Sequence, residues 1–434
     1  MYSYIDTFFR ISESRSSIRT EVIAGATTFL AMSYIVVVNP AILSEAGMDF
    51  GAVFVATCLA AAFGSLLMGV LANYPIGLAP GMGQNAFFTY GIVLGSGHTW
   101  QAALGAVFVS GLLFLLISVL PVRAWIINAI PKNLKLGISA GIGLFIAFIA
   151  LKNAGIVVAN PATLVGFGDL TQFSSVMALV GLFLIAVLVS VQFKGAIIVG
   201  MIGVSIVGWL IGDAAFQGVI APPPDPTPVL LQMDVSAAIE LSMLSVVLTL
   251  LLVDVFDTAG TLVGVANRAK LLDEQGRLPR IGRALLADSG ATIVGASIGT
   301  SSTTSFIESA AGVESGGRTG LTAVVVAGLF LLCLLLSPLA QSVPAYATAG
   351  ALLFVSASMA RGLADLDWRD PVEYTPAILT AICMPLSFSI ANGIGVGFIS
   401  YAAIKLIRMR PKECPIAVYL VAMIFTLKFV FLGS

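Results

Sequence analysis

Two short apolar stretches, Pro75 to Gly95 and Ser297 to Gly312, sit at matching places in a chain otherwise made of membrane-length hydrophobic runs. Gly, Pro, Ser or Thr breaks each of them. In hydrocarbon every backbone N–H and C=O must find a partner, so a non-helical break at membrane depth survives only where protein buries it or where it lines a cavity. A matched pair of breaks points to a solute site near the bilayer midplane, the plan of secondary transporters with inverted repeats. The membrane setting follows from composition. Of 434 residues, 58% are hydrophobic and 10% charged, with mean hydropathy +1.03, whereas a soluble domain carries roughly 25% charged residues.

At roughly 20 apolar residues per crossing, spans are predicted near 21–43, 50–72, 76–95, 99–120, 134–155, 174–192 and 195–213, then 236–265, 282–299, 300–314, 318–337, 344–362, 374–389 and 391–409. With the N-terminus placed in the cytoplasm, all of the 21 Lys and Arg except Lys152 and Lys428 fall inside or at the inner ends of spans, as the positive-inside bias requires. These include Arg123, Lys135, Arg277, Arg318 and Arg410. The loop Asp213 to Asp234, rich in Pro and Asp and without Lys or Arg, lies on the outer face. Pro415 to Leu432 is apolar but carries Lys428, and reads either as an extra helix or as a membrane-surface segment. Residues 1–20 are polar and charged and lack a signal-peptide pattern, so the first span is expected to remain as an anchor.

Other chemistries are argued against by what is scattered or missing. Cys58, Cys333, Cys383 and Cys414 have no C-x-x-C spacing, and His98 is the single histidine, so no zinc, haem or disulfide framework is expected. There is no phosphate-binding loop. No cofactor is expected, and the net charge of −1 gives no surplus for binding nucleic acid.

The polar groups inside the spans carry the functional reading. Asp254 and Asp257 lie at i and i+3 on one face of the eighth span. An ionisable group at such depth costs at least a few kcal/mol, and desolvation favours its protonated form. Six consecutive hydroxyl residues, Thr300 to Ser305, favour extended backbone through local side-chain bonds. A helix is then expected to begin near Ser305, with its positive end facing a cavity and Glu308 in its first turn. In the first half, Gly81 and Gly83 permit close backbone approach, Pro80 removes a donor, and Asn85 is expected to open the half-helix.

Structural readings stand beside these. Asp254 and Asp257 could tie helices together, Glu308 could cap its own helix, and Asn85 could be a plain N-cap. Asp288 and Glu240, near span ends, read as interfacial or structural. Gly137 with Gly141, and the run Gly393, Gly395, Gly397, read as helix-packing surfaces.

Three blocks are also familiar: Ala79 to Phe88, Asp254 to Thr261, and Ala287 to Gly290 running on through Glu308 to Gly320. They closely resemble the adenine/guanine/hypoxanthine permease branch of the nucleobase/cation symporter superfamily, the group of nucleobase-ascorbate transporters and xanthine/uracil permeases. The resemblance implies an all-α, uracil-permease-like fold of fourteen spans in a 7+7 inverted repeat, with a short strand and half-helix in spans 3 and 10. It implies a core domain (21–120 and 236–337) and a gate domain (121–213 and 338–409), set off by a cytoplasmic segment 1–20, an external loop 214–235 and a C-terminal segment 410–434. By the same resemblance, Asp254 and Glu308 match substrate-binding acidic positions, Asp257 a position linked to proton coupling, and Gly83 and Asn85 third-span determinants. Gln84 stands where relatives usually carry an apolar residue.

Independent chemistry agrees. A carboxylate accepts two parallel hydrogen bonds, and guanine offers N1–H with its exocyclic amine, hypoxanthine N1–H, and adenine its amine. Ser305 lies beside Glu308, and Phe87 and Phe306 are available for stacking, though each aromatic can equally be packing. The function expected is import of hypoxanthine, guanine or adenine across the cell membrane by proton symport and alternating access, with Asp257 or Asp254 protonated. A homodimer through the gate domain is implied by relatives of the fold. The alternatives are transport of uracil, xanthine or another solute on the same fold, or an intramembrane aspartyl enzyme. The carrier reading is preferred because the carboxylates lie beside two broken helices.

Overall fold

Long apolar runs leave a chain in lipid little choice but the helix, and each of the fourteen expected spans coincides with a helix or a broken helix. The computed structural model describes residues 2–120, 130–271, 278–409 and 411–431. Arg123, Arg277 and Arg410, counted above among the cytoplasmic cations, lie outside the described residues. Among the described residues nine helices are long and apolar enough to cross a membrane, the longest being Ile18–Glu45 and Leu241–Arg268. Helix starts follow local chemistry: Ser17, Asp49, Thr99, Thr319, Asp370 and Ser389 each accept a hydrogen bond from a backbone N–H in the following first turn, satisfying donors that no helix can satisfy itself.

The halves repeat. In each, two crossings precede a broken one that opens with a short strand: β1, Leu78–Pro80, in the first half and β4, Thr303–Ser305, in the second. The strands between them in sequence, β2 (Val157–Asn160) and β3 (Leu164–Phe167), form a separate hairpin after the fifth span. Packing sorts the spans into two sets. The first, second and fourth interleave with the ninth, tenth and eleventh, while the fifth, sixth and seventh pack on the twelfth, thirteenth and fourteenth. Within the second set Gly137 and Gly141 lie against Ala377, Ala381 and Met384, and Gly393 and Gly397 against Met384 and Thr380. A side chain at any of these would collide, as expected of close-packed helices.

Three details refine the expectation. The first span is not one helix: Ile18–Met32 and Ile35–Glu45 are separated at Ser33 and Tyr34. The segment read as an extra helix or a surface segment is a helix, Ile416–Phe431, with Phe425 fully buried and Phe425 and Phe429 packed on Gly395. Its Lys428 Nζ donates to Asn392 Oδ1 at 3.1 Å, which is how a cation is accommodated there. The outer loop is pinned: Leu231 N–H donates to Ser297 O at 2.8 Å and Asp234 N–H to Gln101 O at 2.9 Å. In that loop the Thr227 hydroxyl and amide hold the exposed Asp225 carboxyl below its ordinary pKa.

Glu21 joins the halves on the first span. Its buried carboxylate accepts from Arg318 N–H at 3.0 Å, Thr319 N–H at 3.2 Å and the Thr322 hydroxyl at 2.5 Å, so it caps the eleventh span from outside that helix.

Candidate functional site

The two breaks meet. β1 and β4 pair antiparallel, with Leu78 opposite Ser305, Ala79 opposite Thr304 and Pro80 opposite Thr303. Beyond the ladder Gly81 N–H donates to Ser302 O at 2.9 Å and Phe306 N–H to Gly77 O at 3.0 Å. Gly77 N–H donates to Ser309 Oγ at 3.0 Å, and Ser65 Oγ serves both polar groups of Leu78. Extended backbone thus survives at depth because each broken span satisfies the other.

From this ribbon lead two short helices, Met82–Ala86 and Ser309–Glu314. The second begins at Ser309, not near Ser305, because strand pairing claims Thr303–Ser305. Glu308 is its N-cap but makes no side-chain capping bond. Instead its Oε1 accepts from the Tyr34 hydroxyl at 2.8 Å, out of the break in the first span. Asn85 does not open the first short helix, which starts after Gly81. Its Oδ1 accepts from the Ser301 hydroxyl, while its Nδ2 is buried without a partner among the described residues. The plain capping readings of Glu308 and Asn85 both fail on this geometry.

The eighth span, Leu244–Arg268, lays its carboxylates against the ribbon. Asp254 is fully buried; its Oδ2 accepts from the Thr292 hydroxyl at 3.2 Å and its Oδ1 faces Gln84 Nε2 at 3.4 Å. Asp257 is half-buried, within reach of the Gln84 amide and of the charge on Glu308. Asp254 and Glu308 are thus each close enough to Asp257 to share its electrostatic surroundings. Asp288, read from the sequence as interfacial or structural, is fully buried behind the ribbon, accepting from Thr258 Oγ1 at 2.6 Å and Ser305 Oγ at 3.1 Å. The Thr258 hydroxyl also meets that of Thr304 at 2.9 Å. Glu240 is exposed, in keeping with a span end.

The remaining expected residues divide. Gly83 is where the first short helix meets the fifth span: a Cβ there would lie 2.5 Å from Ile142 Cγ2. Ser305 faces Asp288 rather than an open space. Phe306 is buried in the turn after β4, and Phe87 is buried with its ring over Gly91 of its own span, a packing role. Sequence reasoning passed over Tyr34 and undervalued Gln84 and Asp288. A polar pair interrupting an apolar run, Ser33–Tyr34, was the signal available for the first.

The two ends of the region are unequal. Toward the C-terminal end of the eighth span Gly260 is exposed, with open space among the described residues where a Cβ would stand, and Val263 and Ile307 are 44% and 52% exposed. At the other end Glu45 Oε1 accepts from the Tyr90 hydroxyl at 2.8 Å and from Asn153 Nδ2 at 2.9 Å. Phe388 stands edge-on to Tyr90, Phe145 and Phe148.

Residues 19–396 match the profile of a family described as the Permease family, Xan_ur_permease. The chain is 48% identical to the adenine permease AdeP of Escherichia coli over 99% of its own length and 97% of that relative's. It is 44% identical to the guanine/hypoxanthine permease PbuO of Bacillus subtilis over 96% and 98%. Among solved structures, the transmembrane domain of the cyanobacterial bicarbonate transporter BicA aligns with TM-score 0.65 at 13% identity, covering 87% of this chain and 97% of that one. That likeness bears on the fold alone.

Proposed function

Because the chain belongs to the Permease family, with relatives named as adenine and guanine/hypoxanthine permeases, we propose that it imports purine nucleobases by proton symport and alternating access. The observation that carries this reading is the convergence of Asp254 and Glu308, from different spans, on the paired breaks. A carboxylate from each side offers acceptors to the N–H groups of a planar base. Among the described residues, the side chains bonded to these carboxylates are Tyr34, Gln84 and Thr292, none of them a cation that would compete with a neutral base. Asn85 adds a donor that has no partner among the described residues. Asp257, close to both carboxylates, is the proposed proton site.

In this reading spans 1–4 and 8–11 (21–120, 236–337) carry the base as a core, and spans 5–7 and 12–14 (121–213, 338–409) form the gate. The cytoplasmic N-terminus follows from the distribution of Lys and Arg. The exposed face at Gly260, Val263 and Ile307 then opens inward, and the cluster of Glu45, Tyr90, Asn153 and Phe388 closes the outer side. Binding a proton with the base neutralises buried charge, so the loaded core crosses more readily than the empty charged one. That difference in free energy between states is the coupling. The test is uptake of labelled hypoxanthine, guanine and adenine into proteoliposomes with and without an imposed pH difference, with unlabelled uracil and xanthine as competitors. Uptake that is saturable and driven by the pH difference supports the proposal. Uptake that ignores the pH difference removes the symport, and failure of all three purines removes the substrate class.

A further inference from the structure

Gln84 occupies the middle of the carboxylate cluster, and its placement is enforced by its neighbours. The side chain is 1% exposed. It folds back over the start of its own short helix, so that Oε1 fills the space a Cβ on Gly81 would take. Only glycine at position 81 leaves that space. The folded amide reaches Asp254 Oδ1 at 3.4 Å and lies within reach of Asp257. A contact of 3.4 Å is longer than the ordinary N–H···O range, so the amide is held near the carboxylates without being committed to a strong bond with Asp254.

The chemistry of the cluster is otherwise one-sided. Ionised Asp254 and Glu308 only accept hydrogen bonds, which suits the adjacent N1–H and amine of guanine. Adenine presents a different edge, an amine donor beside a ring-nitrogen acceptor. A carboxylate satisfies half of that pattern and leaves the ring nitrogen unpaired. A carboxamide satisfies both halves, one donor and one acceptor in a fixed planar fork, which is how Asn and Gln read adenine elsewhere. Either orientation of the amide presents the same complementary pair.

Resting on the purine-carrier reading above, we propose that Gln84 is a specificity-determining residue that pairs with the amino edge of adenine, while Asp254 and Glu308 serve the donor edge of guanine and hypoxanthine. The site accordingly takes 6-amino and 6-oxo purines through different polar groups. Gly81 is part of the same device, because it makes room for the folded amide.

The experiment measures KM for adenine, guanine and hypoxanthine in proteoliposomes carrying wild-type protein, Gln84→Met or Gln84→Leu. Met nearly preserves the length of the side chain and serves if Leu does not reconstitute. The expected result is a rise in adenine KM of about tenfold or more, the scale of one lost bidentate pair, with guanine and hypoxanthine within about threefold of wild type. A parallel rise for all three bases would make Gln84 only a support for Asp254 and overturn the proposal, as would no change for adenine or a selective loss of guanine. Wild-type protein that moves none of the bases overturns the carrier reading itself, an outcome distinct from a failure of the Gln84 assignment.

Discussion

Replacing Glu308 by glutamine tests the proposed site at the group whose surroundings are best defined. Glu308 Oε1 takes the Tyr34 hydroxyl at 2.8 Å, and in the proposed complex the other carboxylate oxygen takes an N–H of the base. The amide introduced by Glu308→Gln keeps an acceptor for Tyr34 but turns a donor toward the base's N–H, so one hydrogen bond to a charged group is lost. Such a bond is worth about 1.5–3 kcal/mol when both partners are dry. Glu308 is half-buried, so the lower part of that range applies, and at about 1.4 kcal/mol per tenfold the KM for hypoxanthine should rise roughly ten- to thirtyfold. Tyr34→Phe removes only the hydroxyl that orients the carboxylate and should cost about fivefold. The assay is initial-rate uptake into proteoliposomes, normalised to the amount of inserted protein. A KM for Glu308→Gln within about threefold of wild type, at normal insertion, would refute the assignment of Glu308 to the base.

Further outcomes follow from contacts elsewhere. Gly83→Ala sets a methyl 2.5 Å from Ile142 Cγ2 and should slow transport strongly, and adding Ile142→Ala should restore much of the rate; an uninhibited Gly83→Ala protein would deny close passage of these two spans. Glu21→Ala leaves Arg318 N–H, Thr319 N–H and the Thr322 hydroxyl without their buried acceptor, a loss of about 2 kcal/mol. It should lower the thermal midpoint of the detergent-solubilised protein by several degrees, and an unchanged midpoint would contradict the capping role. Asn153→Ala removes two bonds of the outer cluster, to Glu45 and Tyr90; a loss of about 1 kcal/mol should raise the outward-facing population and lower the external KM by about two- to fivefold. An external KM that does not move would show that the cluster does not hold the outer side shut.

The sequence was most legible where one local rule sufficed. The hydroxyl run Thr300 to Ser305 read as extended backbone, the interruptions in spans 3 and 10 were visible as Gly, Pro, Ser and Thr in apolar runs, and the packing glycines at 137, 141, 393 and 397 lie at close helix contacts. What escaped depends on distant parts of the chain. No local signal says that Thr303–Ser305 pairs with Leu78–Pro80, and that pairing is what delays the following helix to Ser309. Asn85 has the composition of a cap, but Gly81 already starts the helix. Asp288 lies in the first half of its helix and looked interfacial by linear depth. It is buried because small neighbours, Ala284, Ala287 and Ala291, let the helix pack closely against the second and fourth spans. Gln84 gave no indication of direction, since only the absent side chain of Gly81 shows which way its amide folds.

The central claim is that a base sits between Asp254 and Glu308 at the paired breaks, and equilibrium binding tests it most directly. Titrating purified protein with labelled guanine should give saturable binding that Asp254→Asn weakens at least about thirtyfold, the scale of a lost bidentate charged contact, in protein that remains folded and monodisperse. Binding by Asp254→Asn and Glu308→Gln with wild-type affinity would place the base elsewhere and contradict the account.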